Sequence, residues 1–468
     1  MSQHVALVAP PFAGHLHPIL GVGVELARRG IPVRVTSTAA ARSRIEAAGL
    51  PAHALESADD ATVAAIAEPA ERIGRHPVRL HRQFRATLAV LGAIRDDLDR
   101  GWRDDPPAVV VADFTLPVAG PVARQHGARW FTAMPSPAAI GSMDGTPAYC
   151  GGLLPPGGPA GRVRDAAARA AVRAFKRSVF ALNARPLRAL GVTGVFRADG
   201  TEQAYSPDTI LALGLRELEL PRSWPEAVRF VGPVRYSPPG RPGAWGAGAA
   251  DGDDAEDAQD EDAGGATSAI PRAAARIPRV LVAFGTHLAT EKARLVAMLD
   301  EVAALVPAVR FDLSLGGSDI ANPRAAGASD RVDRVRIVDY VDYDRLDRYD
   351  AIVHHGGTGI AQAALAAGRP AVVVPIDYDQ PDVAARLVHH DLAEQLDARV
   401  LRTGPAGAER LAAAVRRALA PSDDRLAALA RFRDACARSD GAVGAADLIE
   451  RALITPRPDR GRTTGART

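Results

Sequence analysis

Two histidines and three glycines fall together in "IVHHGGTGIAQAAL" (Ile352 to Leu365), where an apolar strand-like run gives way to a helix-like one. Glycine removes Cβ, so main-chain N–H groups can come close to a ligand, and a helix start already leaves N–H groups unpaired. Together these features make a seat for an anion. The same residues also suit a plain tight turn that caps a helix with buried histidines, so this stretch alone selects no ligand. A metal has less support. His389 and His390 are adjacent on a helix-like stretch, which sets their rings about 100° apart rather than on one face as i, i+4 ligands would be.

The elements that must position this loop follow an alternating pattern. The chain opens with a strand ("HVALVAPPF"), a loop ("AGHLHP"), a helix ("ILGVGVELARRG") and a second strand ("IPVRVTS"). Short β-branched runs alternating with amphipathic helical stretches are the mark of a parallel α/β sheet. "PAVVVADFTLPVAGPVARQHG" repeats the unit, "ARWFTAMPS" adds a strand, and an Arg- and Ala-rich helical stretch runs from about Gly161 to Leu190. The alternation restarts at "RVLVAFGTH" and continues through "VRFDLSLGG", "VRIVDYV", "DAIVHHGGTG" and "RPAVVVPI". Between the halves the composition turns to Pro, Gly, Ala and acid, a mixture that cannot bury enough apolar surface to offset its ordering entropy. The expected organisation is a first domain over 1–235, a disordered acidic linker over 236–278, a second domain over 279–455 and a frayed basic tail over 456–468. In open α/β sheets ligands bind outside the C-terminal strand ends, so the chemistry belongs in the cleft between the two domains.

Composition narrows the partners. At 468 residues, 47% hydrophobic and 24% charged, the sequence describes a globular protein of more than one core. The formal net charge is +2, but Asp251 to Asp262 holds eight acidic residues and no basic one, leaving the remainder at +10. A mildly basic body suits anionic small molecules. It has no basic stripe interleaved with aromatics, so nucleic acid is not an expected partner. Cys150 and Cys436 lie far apart without metal or CxxC spacing, which reads as two reduced thiols in a cytoplasmic protein. No apolar run approaches membrane-spanning length, and stable membrane insertion is not expected.

Three segments, "PFAGHLHPILGVGVELARRG", the glycine loop and "VVVPIDYDQPDVAARL", together resemble the inverting, metal-independent GT-B glycosyltransferases that modify macrolides, glycopeptides and carotenoids. The resemblance spans both halves and implies two Rossmann-like domains facing across a cleft. It implies that a nucleoside-diphosphate sugar, a co-substrate rather than a cofactor, binds the second half with no metal. His355 would contact the diphosphate, with His354 turned elsewhere, and Gly357, Thr358 and Gly359 would offer main-chain donors. Thr286 in "AFGT" would approach the same phosphates. Asp379 and Gln380 match an Asp-Gln pair that hydrogen-bonds sugar hydroxyls; by themselves they would suit an Asx turn before Pro381. For the nucleobase the family uses a Trp, where "DYVDYDRL" offers Tyr340 as the stacking ring and Val341 as the backbone reader. Asp342 and Tyr343 stand where Pro and Gln are common, which leaves uridine and thymidine both open.

On the acceptor side His15 matches the family's catalytic histidine and Asp113 the carboxylate that orients it. An imidazole with a pKa of about 6.5 can take a hydroxyl proton near neutral pH. His17 is a nearby competitor at a position where the motif usually has other residues. The region after Ser136, loop-like and apolar, is expected together with the helices beyond it to shape a pocket for a small lipophilic alcohol or phenol, although no residue there stands out. A helix from roughly Arg425 to Leu453 is expected to cross back to the first domain, and a homodimer is compatible with the resemblance. Two rival functions share this architecture: a sugar-nucleotide 2-epimerase, which needs no acceptor region, and a non-catalytic helper of a partner enzyme. Loss of the phosphate loop or of the base would have favoured the helper, and both are present.

Overall fold

A computed structural model describes residues 4–67, 77–238, 276–285, 288–316 and 334–455. Most of the expected linker, the expected tail and Thr286 lie outside the described residues. Among the described residues, thirteen strands form two sheets, and every strand pairing is parallel. The first sheet uses β1 (Val5–Val8), β2 (Val33–Ser37), β3 (Ala52–Ala54), β4 (Val109–Asp113), β5 (Arg129–Met134), β6 (Thr209–Ala212) and β7 (Val228–Phe230) in the order β3-β2-β1-β4-β5-β6-β7. The second uses β8 (Arg279–Ala283), β9 (Arg310–Ser314), β10 (Val335–Val338), β11 (Ala351–His354), β12 (Ala371–Val373) and β13 (Ala393–Gln395) in the order β10-β9-β8-β11-β12-β13. Each sheet therefore reverses direction once, at β1/β4 and at β8/β11, and each has the doubly wound order of a Rossmann-like unit.

The strands are Val-rich because both faces of the sheet are covered. Helices α1 (Ala13–Arg28), α2 (Arg42–Ala47), α3 (Asp60–Ala67), α4 (Pro77–Trp102), α5 (Ala119–Gln125), α6 (Pro159–Leu182) and α7 (Ala184–Ala189) accompany the first sheet. Helices α8 (Ala289–Leu305), α9 (Thr358–Ala366), α10 (Gln380–His389), α11 (Pro405–Leu419), α12 (Asp423–Ala437) and α13 (Gly441–Ile454) follow in the second half. No described helix is long and apolar enough to cross a membrane.

Two sequence expectations need correction. The "AGHLHP" segment is not a loop, because α1 begins at Ala13 and contains Pro18. Proline is favoured in a helix's first turn and so suggests a later start. An earlier start costs the bond Pro18 cannot donate, and burial of Leu16 in the core beside Ile19 and Leu20 offsets it. The single helix expected over Arg425 to Leu453 is two helices. The Asp440 carboxylate accepts from Ala442 N–H at 3.0 Å and Val443 N–H at 3.2 Å, an N-cap that starts α13 afresh. Helix α13 then packs on α1, with Ala445, Ala446 and Ile449 buried in the first sheet's core. Arg29, the C-cap residue of α1, reinforces this contact by pairing with Asp447 at 2.7 Å and Glu450 at 3.0 Å.

Candidate active site

Asp113 is the last residue of β4, at the first sheet's switch point, and is 1% exposed. His15 reaches it from the first turn of α1, the helix that follows β1 on the other side of that point. Nδ1 of His15 lies 3.0 and 3.1 Å from the two carboxylate oxygens, so Nδ1 carries the proton and Nε2 is left as the basic nitrogen. The carboxylate is itself held in place, because Thr115 donates its N–H (2.9 Å) and its hydroxyl (2.5 Å) to Oδ1. Burial pushes the His15 pKa down, but the charge and hydrogen bond of Asp113, together with the charge of Asp379, outweigh it and raise the pKa above its ordinary value. The ring of His17 lies 5.5 Å from that of Tyr236.

The second switch point, between β8 and β11, carries the glycine loop. Gly357 is the N-cap residue of α9, and no side chain caps that helix, so the first amides of α9 keep their donors for something else. A Cβ on Gly359 would meet no atom within 4 Å, which marks open space beside these amides. His355 sits half-buried between the two loops. A Cβ on Gly285 would lie 3.1 Å from its Cε1 and one on Gly357 only 2.5 Å from its Nε2. His354 faces the other way and is fully buried, with Nδ1 accepting the Gly356 N–H at 3.0 Å. Burial first, and the neighbouring His355 second, hold its pKa down to about 3.

Because folded His354 refuses a proton until about pH 3 while an unfolded histidine takes one near pH 6.5, stability is present above that value and is lost as pH falls. The slope is at most about 1.4 kcal/mol per pH unit. Urea unfolding at pH 7.5, 6 and 5 should show the decline, and His354→Asn, whose Oδ1 can replace Nδ1 as acceptor, should flatten it.

The Asp379-Gln380 pair opens α10. The Asp379 carboxylate bonds to no described side chain and lies within electrostatic reach of His15, so the two halves of the site face each other. Gln380 is buried and its Oε1 accepts from Ile376 and Asp377 N–H at 2.8 and 3.1 Å, leaving its amide nitrogen for a ligand. Asp377, which spells an Asp-Tyr-Asp triplet with Asp379, turns its carboxylate to Tyr378 N–H at 2.9 Å. Among the described residues no three His, Cys, Asp or Glu side chains gather in a way that could hold a metal ion. Tyr340 is half-buried and Val341 buried just before the 3-10 turn Tyr343–Arg348. Asp342, standing in place of a proline, caps that turn through Asp344 N–H at 3.0 Å and accepts from Ser237 Oγ at 2.8 Å.

Sequence reasoning missed the residues that hold the halves together. Asp382 on α10 accepts the Tyr149 N–H at 2.7 Å, and Arg386 pairs with Glu219 at 2.8 Å, both partners being 5% exposed. Burial raises the Asp382 pKa to about 6 against the pull of the Tyr149 amide and Arg386. Gln362 on α9 donates to the Leu213 carbonyl at 2.7 Å. The available signal was the crowded "GTPAYCGG" segment, where Tyr149 adopts a left-handed φ of 61°.

Two doubly wound sheets whose switch points face across a cleft are the architecture of a GT-B glycosyltransferase, and the comparisons agree. Residues 320–439 match the family model "Erythromycin biosynthesis protein CIII-like, C-terminal domain". The 4'-demethylrebeccamycin synthase of Lentzea aerocolonigenes is 27% identical over 96% of this chain and 99% of its own length. UDP-glycosyltransferase 2 of Phaeomoniella chlamydospora is 30% identical over 49% of this chain, a match that spans about half (53%) of that relative. Among solved structures, the glycotransferase of kitacinnamycin superposes with a TM-score of 0.68 at 23% identity, covering 97% of this chain and 100% of that one. The glycosyltransferase VinC, solved with dTDP, gives 0.60 at 20% identity, covering 96% and 99%. The chain has the GT-B fold, and its relatives by sequence are glycosyltransferases of natural-product pathways.

Proposed function

We propose that this protein moves a sugar from a uridine- or thymidine-linked sugar nucleotide to a hydroxyl of a small natural product, with inversion and without a metal. The observation that carries this reading is the pairing of a histidine-aspartate dyad at one switch point with an uncapped helix start at the other. The acceptor O–H gives its proton to His15 Nε2 as its oxygen attacks the anomeric carbon from the face opposite the leaving group. The bond from that carbon to the diphosphate breaks, and its electron pair leaves on the phosphate oxygen. Amides of Gly357, Thr358 and Gly359, with His355, meet the charge that builds there. Asp113 stabilises the imidazolium. Asp379 and Gln380 orient the sugar hydroxyls, Tyr340 stacks on the base while Val341 presents its backbone to it, and Thr286 contributes to the phosphate seat. The donor agrees with the dTDP in the VinC structure.

A thermal-shift screen against a panel of sugar nucleotides tests the donor half of the proposal. A ligand at a hundred times its Kd stabilises by about 2.7 kcal/mol, so the preferred donor should raise Tm by several degrees with or without EDTA. No shift with any uridine or thymidine nucleotide, or a shift abolished by EDTA, would overturn it.

A further inference from the structure

A small cavity in the first domain has a polarity that the sequence did not suggest. Phe114 lies 5.6 Å from His15, and Tyr205 lies 6.4 Å from Phe114, so a run of aromatic rings leads from the base into the first domain. Tyr205 lies within electrostatic reach of Asp113 on one side and of Glu202 and Tyr149 on the other, and the latter two line a pocket of about 40 Å³ between the loops around Ile140 and Tyr149, the Phe196–Glu202 turn and one flank of α6. That volume holds a group of a few heavy atoms, such as a carboxylate, but not the body of an aglycone.

Four cationic side chains line this small space, Arg169, Arg173, Lys176 and Arg222, against one acid, Glu202. Most of these charges are already matched. Lys176 Nζ bonds Glu202 at 2.7 Å, and Arg222 shares Glu219 with Arg386. Arg169 bonds the Gly145 carbonyl and has the charge of Asp144 within reach. Arg173 is different. Its guanidinium lies 4.5 Å from the Phe196 ring centroid and 3.3 Å from the Met143 sulfur, and no carboxylate among the described residues pairs with it. A cation stacked on a ring is pre-organised, with its N–H edge left to bind an anion in a forked geometry.

Resting on the glycosyl-transfer reading, we propose that the acceptor is an acid: a molecule with an apolar body, the hydroxyl that is glycosylated, and a carboxylate or similar anion held by Arg173. The apolar body lies along Phe114, and the anion sits in the pocket beside α6. This narrows the lipophilic alcohol or phenol expected from sequence to an amphipathic one.

The test uses the full chain, with UDP or TDP present, and two fluorescent phenols, 6-hydroxy-2-naphthoate and its methyl ester. The acid should bind about tenfold tighter than the ester at low ionic strength, and the difference should shrink as salt is added. Arg173→Gln should bring the acid to the ester's affinity while leaving the ester unchanged, and Arg173→Lys should recover part of the difference. Equal binding of acid and ester, an Arg173→Gln effect on both alike, or no binding of either at millimolar concentration each overturns the proposal. Failure of glycosyl transfer itself would show differently, as absence of any donor-induced thermal shift or of sugar transfer to either phenol.

Discussion

His15→Ala is expected to lower turnover by two to four powers of ten, roughly the contribution of a positioned general base, while donor affinity measured by calorimetry stays within about twofold. The separation follows from the fold, because the proposed base stands at the first sheet's switch point and the proposed phosphate seat at the second's. Asp113→Asn should be nearly as severe. An amide in place of the carboxylate can present its NH2 to Nδ1, which would move the imidazole proton to Nε2 and leave no lone pair for the acceptor hydroxyl. The pH profile gives a further check. The base works only when neutral, and Asp113 with Asp379 raises the pKa of His15 above its ordinary value, so kcat/KM should climb with pH through a limb above about 6.5. Asp379→Asn should move that limb down. Donor binding lost in His15→Ala with turnover per bound donor unchanged, or a profile flat from pH 6 to 8.5, would remove the dyad from the chemistry.

The same electrostatics give His15 and His354 opposite effects on stability. The raised pKa of His15 makes its ion pair a stabilising contact that is complete below about pH 6.5 and fades as pH rises through the folded value. His354 contributes stability above that pH and loses it on acidification. Of these two histidines only His15 touches bulk solvent. On leaving β11, His354 points into the core and His355 towards the cleft.

The sequence exposed those parts of the site that depend on local chemistry. A Gly-rich turn between an apolar strand and a helix can be read from a few neighbouring residues, the family resemblance singled out Asp113, and the structure places both at strand ends. The parts it hid depend on contacts between distant segments. Asp382 looks like one more polar residue after a proline until Tyr149, more than two hundred positions away, brings its N–H to it. The polarity of the pocket beside α6 was hidden for the same reason. Arg169, Arg173 and Lys176 are spread along a helix that the sequence marks only as Arg- and Ala-rich, and the Phe196–Glu202 turn folding against them turns that flank into a lining. The helix boundaries that were misplaced, at Ala13 and at Gly441, are places where tertiary burial or a side-chain cap outweighed the signal of a single proline or an unbroken helical pattern.

Gly357→Ala should weaken binding of UDP or TDP by at least about tenfold while the thermal midpoint of the free protein changes little. The backbone there is extended, with φ of −62° and ψ of 142°, so alanine adopts it without strain. The cost falls on the neighbour, because the new Cβ would lie 2.5 Å from His355 Nε2 and the ring must swing out of place. Gly356→Ala should behave differently. Its φ of 88° is left-handed, and its Cβ would lie 2.9 Å from the Gln380 carbonyl oxygen, so the fold itself should lose at least about 1–2 kcal/mol. His355→Ala should reproduce the Gly357→Ala loss of affinity, and the double variant should lose little more, since both remove the same imidazole from the same place. If Gly357→Ala binds nucleotide as the native protein does, the helix start is a turn and cap only. If the two losses add in full, the imidazole and the amides do not act on one phosphate.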